Sequence, residues 1–162
     1  MIATGLTMEH DTPPRVAARP HTNAHFVVDL GRGDVTDADA GFCEVVFPEF
    51  RIGPADRVDR GDAPQAAPPS PTESSSRRLI LRRGVTGSRN LYEWWDEARR
   101  GTASQPRTVT VHLMTPDLSS AVLTWRFHGA RPVCLSYAPL NALQATVLIE
   151  SVELEFDTME MR

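Results

Sequence analysis

The sequence contains no lysine, and all 17 of its basic residues are arginine. Arginine keeps its charge throughout the physiological pH range and carries a rigid fork of donors, so every positive patch would consist of guanidinium groups. A GC-rich coding bias produces the same composition, and this absence alone therefore excludes no function. The formal net charge of −4 and the pI of about 5.7 argue against a general nucleic-acid binder, which normally has a basic excess.

Cysteines and long apolar runs are also scarce. Cys43 and Cys134 are the only two cysteines and form no CxxC pair, which favours buried thiols in a reducing compartment over a disulfide. No apolar stretch approaches the length of a membrane span, and the first 20 residues lack the basic and apolar regions of a secretion signal. We expect a chain that is made in the cytoplasm and does not contact membranes in the free state.

No catalytic or cofactor motif is recognisable, since GxSxG, HExxH and dinucleotide-binding patterns are all missing. The GVTGS turn at 84–88 lacks the length and the lysine of a phosphate loop. The acidic cluster at 34–39 lacks the glutamate that a calcium loop needs at its twelfth position, and the Arg-Gly-Asp match at 60–62 has no supporting context. We therefore expect no enzymatic activity, no cofactor and no metal.

Short β-like runs dominate the rest of the chain, most of them bounded by Gly, Pro, Asp or Asn. In the run at 107–113, Val109, Val111 and Leu113 alternate with Thr and His, and Leu123, Trp125 and Phe127 alternate in the same way with polar residues. Each such strand has one apolar and one polar face. The predicted strands are 25–30, 41–50, 77–83, 107–113, 121–128, 131–138 and 145–156.

One helix is predicted at about 90–100, because Leu91, Trp94, Trp95 and Ala98 have the spacing of a single helix face. Asn90 followed by Glu93 has the spacing of a capping box, and Gly101 suits a left-handed C-terminal cap. The two adjacent tryptophans provide the large apolar area that holds a lone helix on a sheet. We predict that Leu91, Trp94, Trp95 and Trp125 are structural anchors.

Composition divides the chain into one domain and two polar segments. Residues 1–20 show no periodicity and read as a flexible N-terminal arm, and residues 51–76, rich in Pro, Ala and Ser, read as a long loop inserted into a domain that spans 21–162. The length of 162 residues fits one domain. Loops of this length inside a compact domain are usually functional or disordered.

The charges are separated along the chain. Between Arg77 and Arg107 there are eight arginines and three acids, whereas five acids and no base lie between Glu150 and Glu160. On the last predicted strand, Val147 and Ile149 add apolar groups to the face opposite the core, as if a second element covered it. We expect the two charged groups on different edges that meet between copies of the chain. The interface candidates are Arg77, Arg78, Arg82, Arg83, Val147, Ile149, Glu153 and Glu155.

Several segments in this order resemble the tail-tube proteins of contractile phage tails and contractile injection systems. They are LRRGVTGSRNLYEWW at 81–95, RTVTVHL at 107–113, LTWRFHGARPV at 123–133 and LNALQATVLIESVELEF at 140–156. The resemblance covers about residues 24–50 and 77–160. It leaves out the arm and the inserted loop.

The resemblance implies a mainly β fold: a two-sheet antiparallel β-sandwich or partial barrel with one flanking helix. Six copies would close into a ring whose inner sheets join in one barrel around a lumen, and stacked rings would form the inner tube. Its partners would be neighbouring rings, sheath proteins and the spike and baseplate hub, with no specific nucleic acid. Because the plainest tube subunits have a shorter loop and no such arm, the resemblance favours a specialised ring next to the spike and baseplate, within an assembled phage tail-like particle.

A second function of a different class also fits the sequence. The chain could be a monomeric β-sandwich module that binds an anionic ligand with the arginines around the helix. Tail-tube subunits and such a module differ in whether copies associate, so the oligomeric state separates the two hypotheses.

The composition of residues 54–75 generates a prediction about proteolysis. Pro, Ser and Ala offer little apolar area against the entropy lost on ordering, so limited proteolysis of the free protein should cut there first. Resistance of the free protein would mean that this segment is an ordered part of the fold. Protection that appears only after assembly would mark it as a docking element.

Overall fold

The computed structural model describes residues 20–31, 41–50, 77–101 and 105–162. Almost all of the predicted arm and the whole predicted loop at 51–76 lie outside these ranges, as do the acidic cluster at 34–39 and the Arg-Gly-Asp sequence. The predictions made for these segments are therefore not tested by the described structure and stay predictions.

Seven strands and one helix make up the described fold. In chain order they are β1 (Phe26–Asp29), β2 (Phe42–Val46), β3 (Arg78–Gly84), α1 (Asn90–Arg99), β4 (Arg107–Met114), β5 (Ala121–Tyr137), β6 (Ile149–Glu155) and β7 (Thr158–Met161).

The strands form one antiparallel sheet in the order β1-β4-β5-β6-β3-β2, with β7 paired to β5 beside this path. The N-terminal part of β5 pairs with β4 and β7, and its C-terminal part pairs with β6. The sheet therefore has two halves that are continuous through β5, and it does not close into a barrel. A mainly β fold of about seven antiparallel strands with one flanking helix is confirmed.

The number of strands agrees with the prediction, but two assignments differ. The runs at 121–128 and 131–138 were predicted as separate strands, and they are one strand, β5, which passes through Gly129 with a positive φ of 70°. A side chain at Gly129 would collide with Asp157 at this corner. The short strand β7 was not predicted, because four residues are too few for an alternating pattern to be recognised.

The core lies between the two halves of the sheet. Val28, Val109 and Phe127 come from one half, Leu81 and Val152 from the other, and all five are fully buried in a single cluster. β3 and β6 alternate strictly between buried and partly exposed positions, so each contributes one face to this core. The burial of both inner faces explains why Leu79 and Leu81 on β3, and Val152 and Leu154 on β6, are spaced two residues apart.

Helix α1 packs against β5 and inserts Leu91 and Trp94 into the core, where each is 1% exposed. Trp95 is only partly buried and lies beside the Tyr92 ring, with the Arg99 guanidinium 5.3 Å from its ring centre. Of the two tryptophans, Trp94 thus fills the core and Trp95 lies at the rim of the helix. No helix in the described ranges is long and apolar enough to cross a membrane.

The predicted C-terminal cap of the helix is confirmed, whereas the predicted N-terminal cap is wrong. Gly101 has the expected left-handed φ of 65°, and its amide donates to the Ala98 carbonyl. The capping box is wrong: Asn90 is the first helical residue, Arg89 occupies the cap position, and no side chain caps the helix. The Asn90 side chain instead points into the protein, where its Oδ1 accepts a hydrogen bond from Arg83 at 2.6 Å.

The two tryptophans generate a matched test of the helix contacts. Trp94→Ala should lower the free energy of unfolding by about 3–5 kcal/mol, because it empties a buried site. Trp95→Ala should cost about 1 kcal/mol, since it removes a partly exposed ring and its contact with Arg99. Urea denaturation of both variants would measure the difference, and equal losses would contradict this account of α1.

Candidate assembly surface

A buried ion pair lies at the end of the sheet next to α1. Arg83 on β3 and Glu150 on β6 are directly opposite each other, and the Arg83 Nε donates to the Glu150 Oε1 at 2.6 Å. Arg83 is fully buried and Glu150 is 2% exposed. The Arg83 Nη2 also donates to Asn90, and its guanidinium lies 5.7 Å from the centre of the Phe42 ring on β2. The pair therefore connects β2, β3, β6 and the start of α1.

Tyr137, at the end of β5, lies between the buried ion pair and the solvent. Its side chain is half exposed and hydrogen-bonded to Glu150. Partial burial and the neighbouring Glu150 carboxylate raise the pKa of the Tyr137 phenol above its usual value. The phenol therefore stays protonated and can keep donating to Glu150.

This geometry corrects the interpretation of Arg83 as a contact between subunits. A side chain with no exposed surface cannot reach another copy, and its hydrogen bonds are made inside the chain. The sequence does not show this, because Leu79, Ile80 and Leu81 are all apolar and leave open which face of β3 is buried. Only the alternation of β3, with Leu79 and Leu81 on the buried face, assigns Arg83 to the inside.

The expectation that the arginines and the acids occupy different edges is also wrong. β3 and β6 are neighbours in the sheet, in a register that places Arg78 opposite Glu155 and Ile80 opposite Glu153. Arg78 forms an ion pair with Glu153 at 3.4 Å within the chain. Arg82 pairs in the same way with Glu44 on β2 at 2.8 Å. Charges that are distant in sequence thus compensate one another across the outer face of the sheet.

The other interface candidates lie at the surface. Arg77 is exposed, Val147 is 72% exposed, and Ile149 and Glu155 are partly exposed on the outer face of β6. Trp125, predicted as an anchor, is partly buried against the core, with its ring 4.8 Å from that of Phe47. A role of the surface residues in contacts between subunits stays a prediction.

Sequence reasoning missed an apolar loop between β5 and β6. We call residues 138–148 the leucine loop, because Leu140 is 85% exposed and Leu143 is 95% exposed. The signal was present in the sequence: from Pro132 to Ile149 the chain has no Asp, Glu, Arg or Lys. An uncharged segment that exposes large apolar side chains is typical of a surface that contacts another molecule.

The outermost strands of the sheet, β1 and β2, border an open pocket of about 280 Å³, which we call the edge pocket. Its apolar lining consists of Phe26, Val45, Phe47, Val111, Leu113 and Trp125. Cys43, a free and exposed thiol, also lines it. Among the described strands, β1 and β2 each pair on one side only, which leaves backbone donors and acceptors for a further strand.

Within the described part of the chain, no three His, Cys, Asp or Glu side chains are grouped so that they could hold a metal ion. His112 and His128 lie on the outer face, where their ring nitrogens contact Thr124 at 2.9 Å and Thr108 at 3.3 Å, respectively. These are ordinary surface contacts of neighbouring strands.

Comparison with protein families gives a match over most of the chain. The sequence model of the T4-like virus tail tube protein gp19 matches residues 22–160. This range includes β1 to β6, the helix and all of β7 except its last residue. No curated protein sequence matches the chain at a significant level.

Several solved structures have a similar fold. A protein of an anti-feeding prophage cap that terminates the tube has a TM-score of 0.64 at 17% identity, covering 96% of this chain and 99% of its own. One from the sheath–tube complex of an extracellular contractile injection system has a TM-score of 0.62 at 19% identity, covering 90% and 93%. One from an anti-feeding prophage baseplate has a TM-score of 0.58 at 24% identity, covering 90% and 97%.

The buried ion pair generates a prediction about stability. Arg83→Met should lower the free energy of unfolding by about 3–5 kcal/mol, because it leaves the Glu150 carboxylate buried without its counter-charge. Arg82→Met should cost about 0–1 kcal/mol, since the pair of Arg82 and Glu44 is exposed to solvent. Urea denaturation would measure both variants.

The double variant Arg83→Met/Glu150→Leu separates a charge effect from a packing effect. Replacing both charges by apolar groups of similar size should recover most of the loss, because no uncompensated charge remains. A double variant as unstable as Arg83→Met would mean that the shape of the guanidinium, and not its charge, is what the site requires.

Proposed function

The chain belongs to the family of the T4-like virus tail tube protein gp19, and from that premise we propose that it forms hexameric rings that stack into the inner tube of a contractile injection system or phage tail. Its role is structural, and no catalytic step is assigned to it. The observation that carries this proposal is the family match over residues 22–160, which includes the edge strands β1 and β2.

The open sheet fits a ring subunit. Within the described part of the chain, β1 and β2 each pair on one side only, and a sheet with such edges is prone to uncontrolled association unless other chains cover them. A closed ring covers one edge of each copy with the neighbouring copy, and the contact is head-to-tail because different edges meet. Rings would then stack through surfaces above and below the plane of the ring, where we place the remaining candidates Arg77, Val147, Ile149 and Glu155.

We place the ring at a specialised position next to the spike and baseplate, with neighbouring tube rings, sheath proteins and the spike and baseplate hub as partners. Two features of the sequence support this position, namely the polar segments at 1–20 and 51–76, because the resemblance implies a shorter loop and no arm in the plainest tube subunits. Baseplate and cap proteins of an anti-feeding prophage are among the structures of similar fold.

The alternative, a monomeric module that binds an anionic ligand, has less support. The arginines that would bind such a ligand contact acids of the same chain: Arg99 and Arg100 both pair with Asp96 on α1, and Arg82 pairs with Glu44. Hydrogen bonds from Arg99 lower the pKa of Asp96 below its usual value, so this carboxylate stays charged and paired. An anion would have to displace these acids.

The oligomeric state tests the proposal. Six copies of 17.9 kDa give a ring of about 107 kDa, which light scattering would detect in a concentration series of the purified chain. Because a specialised ring needs its neighbours, the same measurement with spike and baseplate proteins from the same source is the decisive one. A mass of one chain, alone and with these partners, would contradict the proposal. The same chain unfolded in urea serves as the reference for the mass of a monomer.

Copy number then identifies the position of the ring. Quantitative mass spectrometry of purified particles should find about six copies of a specialised ring protein per particle, whereas a bulk tube subunit is present in many stacked rings. A copy number far above six would leave the tube assignment intact and move the chain to the bulk of the tube.

A further inference from the structure

The leucine loop presents its side chains on an ordered turn. Asn141 forms this turn: its Oδ1 accepts from the Leu143 amide at 2.9 Å, and its carbonyl oxygen accepts from the Gln144 amide at 3.2 Å. Leu140 and Leu143 lie on either side of Asn141 and are almost completely exposed. Because the backbone is fixed by these bonds, the two leucines are held in position for contact with another surface.

The edge pocket can hold such a side chain. An apolar cavity of about 150 Å³ accommodates benzene, which has six carbon atoms, and a leucine side chain has four. The edge pocket measures about 280 Å³ and has six apolar side chains in its lining. Among the described residues that line it, the only carboxylate is that of Glu44, which pairs with Arg82 at 2.8 Å on the outer face of the sheet. His21, Thr22 and Asn23 add polar groups to the lining, but most of it is apolar, so an uncharged, apolar side chain matches its chemistry.

The loop and the pocket belong to the same chain but do not serve each other within it. No residue of the leucine loop lines the edge pocket, and the 95% exposure of Leu143 shows that it is not inserted there. An apolar protrusion and an apolar pocket at different places on one molecule produce a head-to-tail contact between copies. Such a contact closes a ring or continues along a stack, and a tube requires both types.

We propose that the leucine loop of one copy inserts into the edge pocket of the next copy. The occupant of the pocket is thus a second copy of this chain, with Leu143 as the main inserted residue and Leu140 beside it. This inference rests on the proposed function, because it names the contact by which tube subunits recognise each other. The neutrality of the segment from Pro132 to Ile149 predicts that the contact is insensitive to salt.

Cys43 makes the proposal directly testable, because this native thiol lies in the pocket. In a Cys134→Ser background, Leu143→Cys places a second thiol at the tip of the loop. Under assembly conditions with a mild oxidant, we expect a disulfide between Cys43 of one chain and the substituted position 143 of another, identified by mass spectrometry of peptides. It should form at least ten times faster than in the control.

Leu118→Cys in the same background is the matched control. Leu118 is also an exposed leucine at a loop tip, 55% exposed and between β4 and β5. Hydrogen bonds from Thr115 and Ser119 order that loop and lower the pKa of Asp117 to about 2. The control thus places a thiol at another exposed position on an ordered turn, one that the proposal does not place in the pocket.

The outcomes separate this inference from the proposed function. Assembly into rings without the disulfide at position 143, or with equal rates for both variants, would overturn the inference and leave the tube assignment intact. Absence of assembly with every partner would contradict the proposed function itself. Slow labelling of Cys43 by a thiol reagent in the monomer would mean that the chain itself covers the pocket, which also overturns the inference. We expect fast labelling that decreases at least ten-fold on assembly.

Discussion

The buried pair of Arg83 and Glu150 is the constraint on which the order of this end of the fold depends. Each charge is acceptable inside the protein only because the other is 2.6 Å away and further partners complete its hydrogen bonds. A shift of β3 by one residue would put Arg82 inside and turn Leu79 and Leu81 outward, while Glu150 would lose its counter-charge. The pair therefore penalises wrong registers more strongly than apolar contacts alone would, and Asn90 ties the start of α1 to the same register.

The second constraint is the corner of β5, which converts one strand into a link between the two halves of the sheet. Gly129 takes a positive φ of 70° there, and Asp157 occupies the space that a side chain would need. Asp157 also pairs with Arg131 at 2.5 Å, and its amide donates to the His128 carbonyl. These contacts hold the turn between β6 and β7 against the bend, so that β7 can pair with β5 and the core between the halves is closed on that side.

Much of the fold could be predicted from the sequence because its signals are local. Alternation in β4 and in β6, the helical spacing of Leu91 and Trp94, and the glycine after α1 each depend on a few neighbouring residues. The failures share a different cause. Whether Asn90 caps the helix or binds Arg83, and whether Arg78 faces Glu153 or another chain, depends on which strands become neighbours. Strand order is set by contacts between distant residues, and a single sequence does not display them.

The structure therefore favours an apolar surface, and not a charged one, as the contact between copies. Charge separation along the sequence pointed to electrostatic recognition between copies, but the fold places the acids beside the arginines, where solvent and the partner charge both weaken their field. The described chain instead offers groups of another kind, among them unpaired backbone groups at the edges of β1 and β2 and the exposed leucines of an uncharged loop. Backbone pairing fixes the orientation of two strands but selects little between partners, because every edge strand offers the same N–H and C=O groups. Selectivity must then come from side chains that fit only one neighbour, and an apolar group in a matching pocket supplies that fit without the long-range attraction that would also draw in wrong partners.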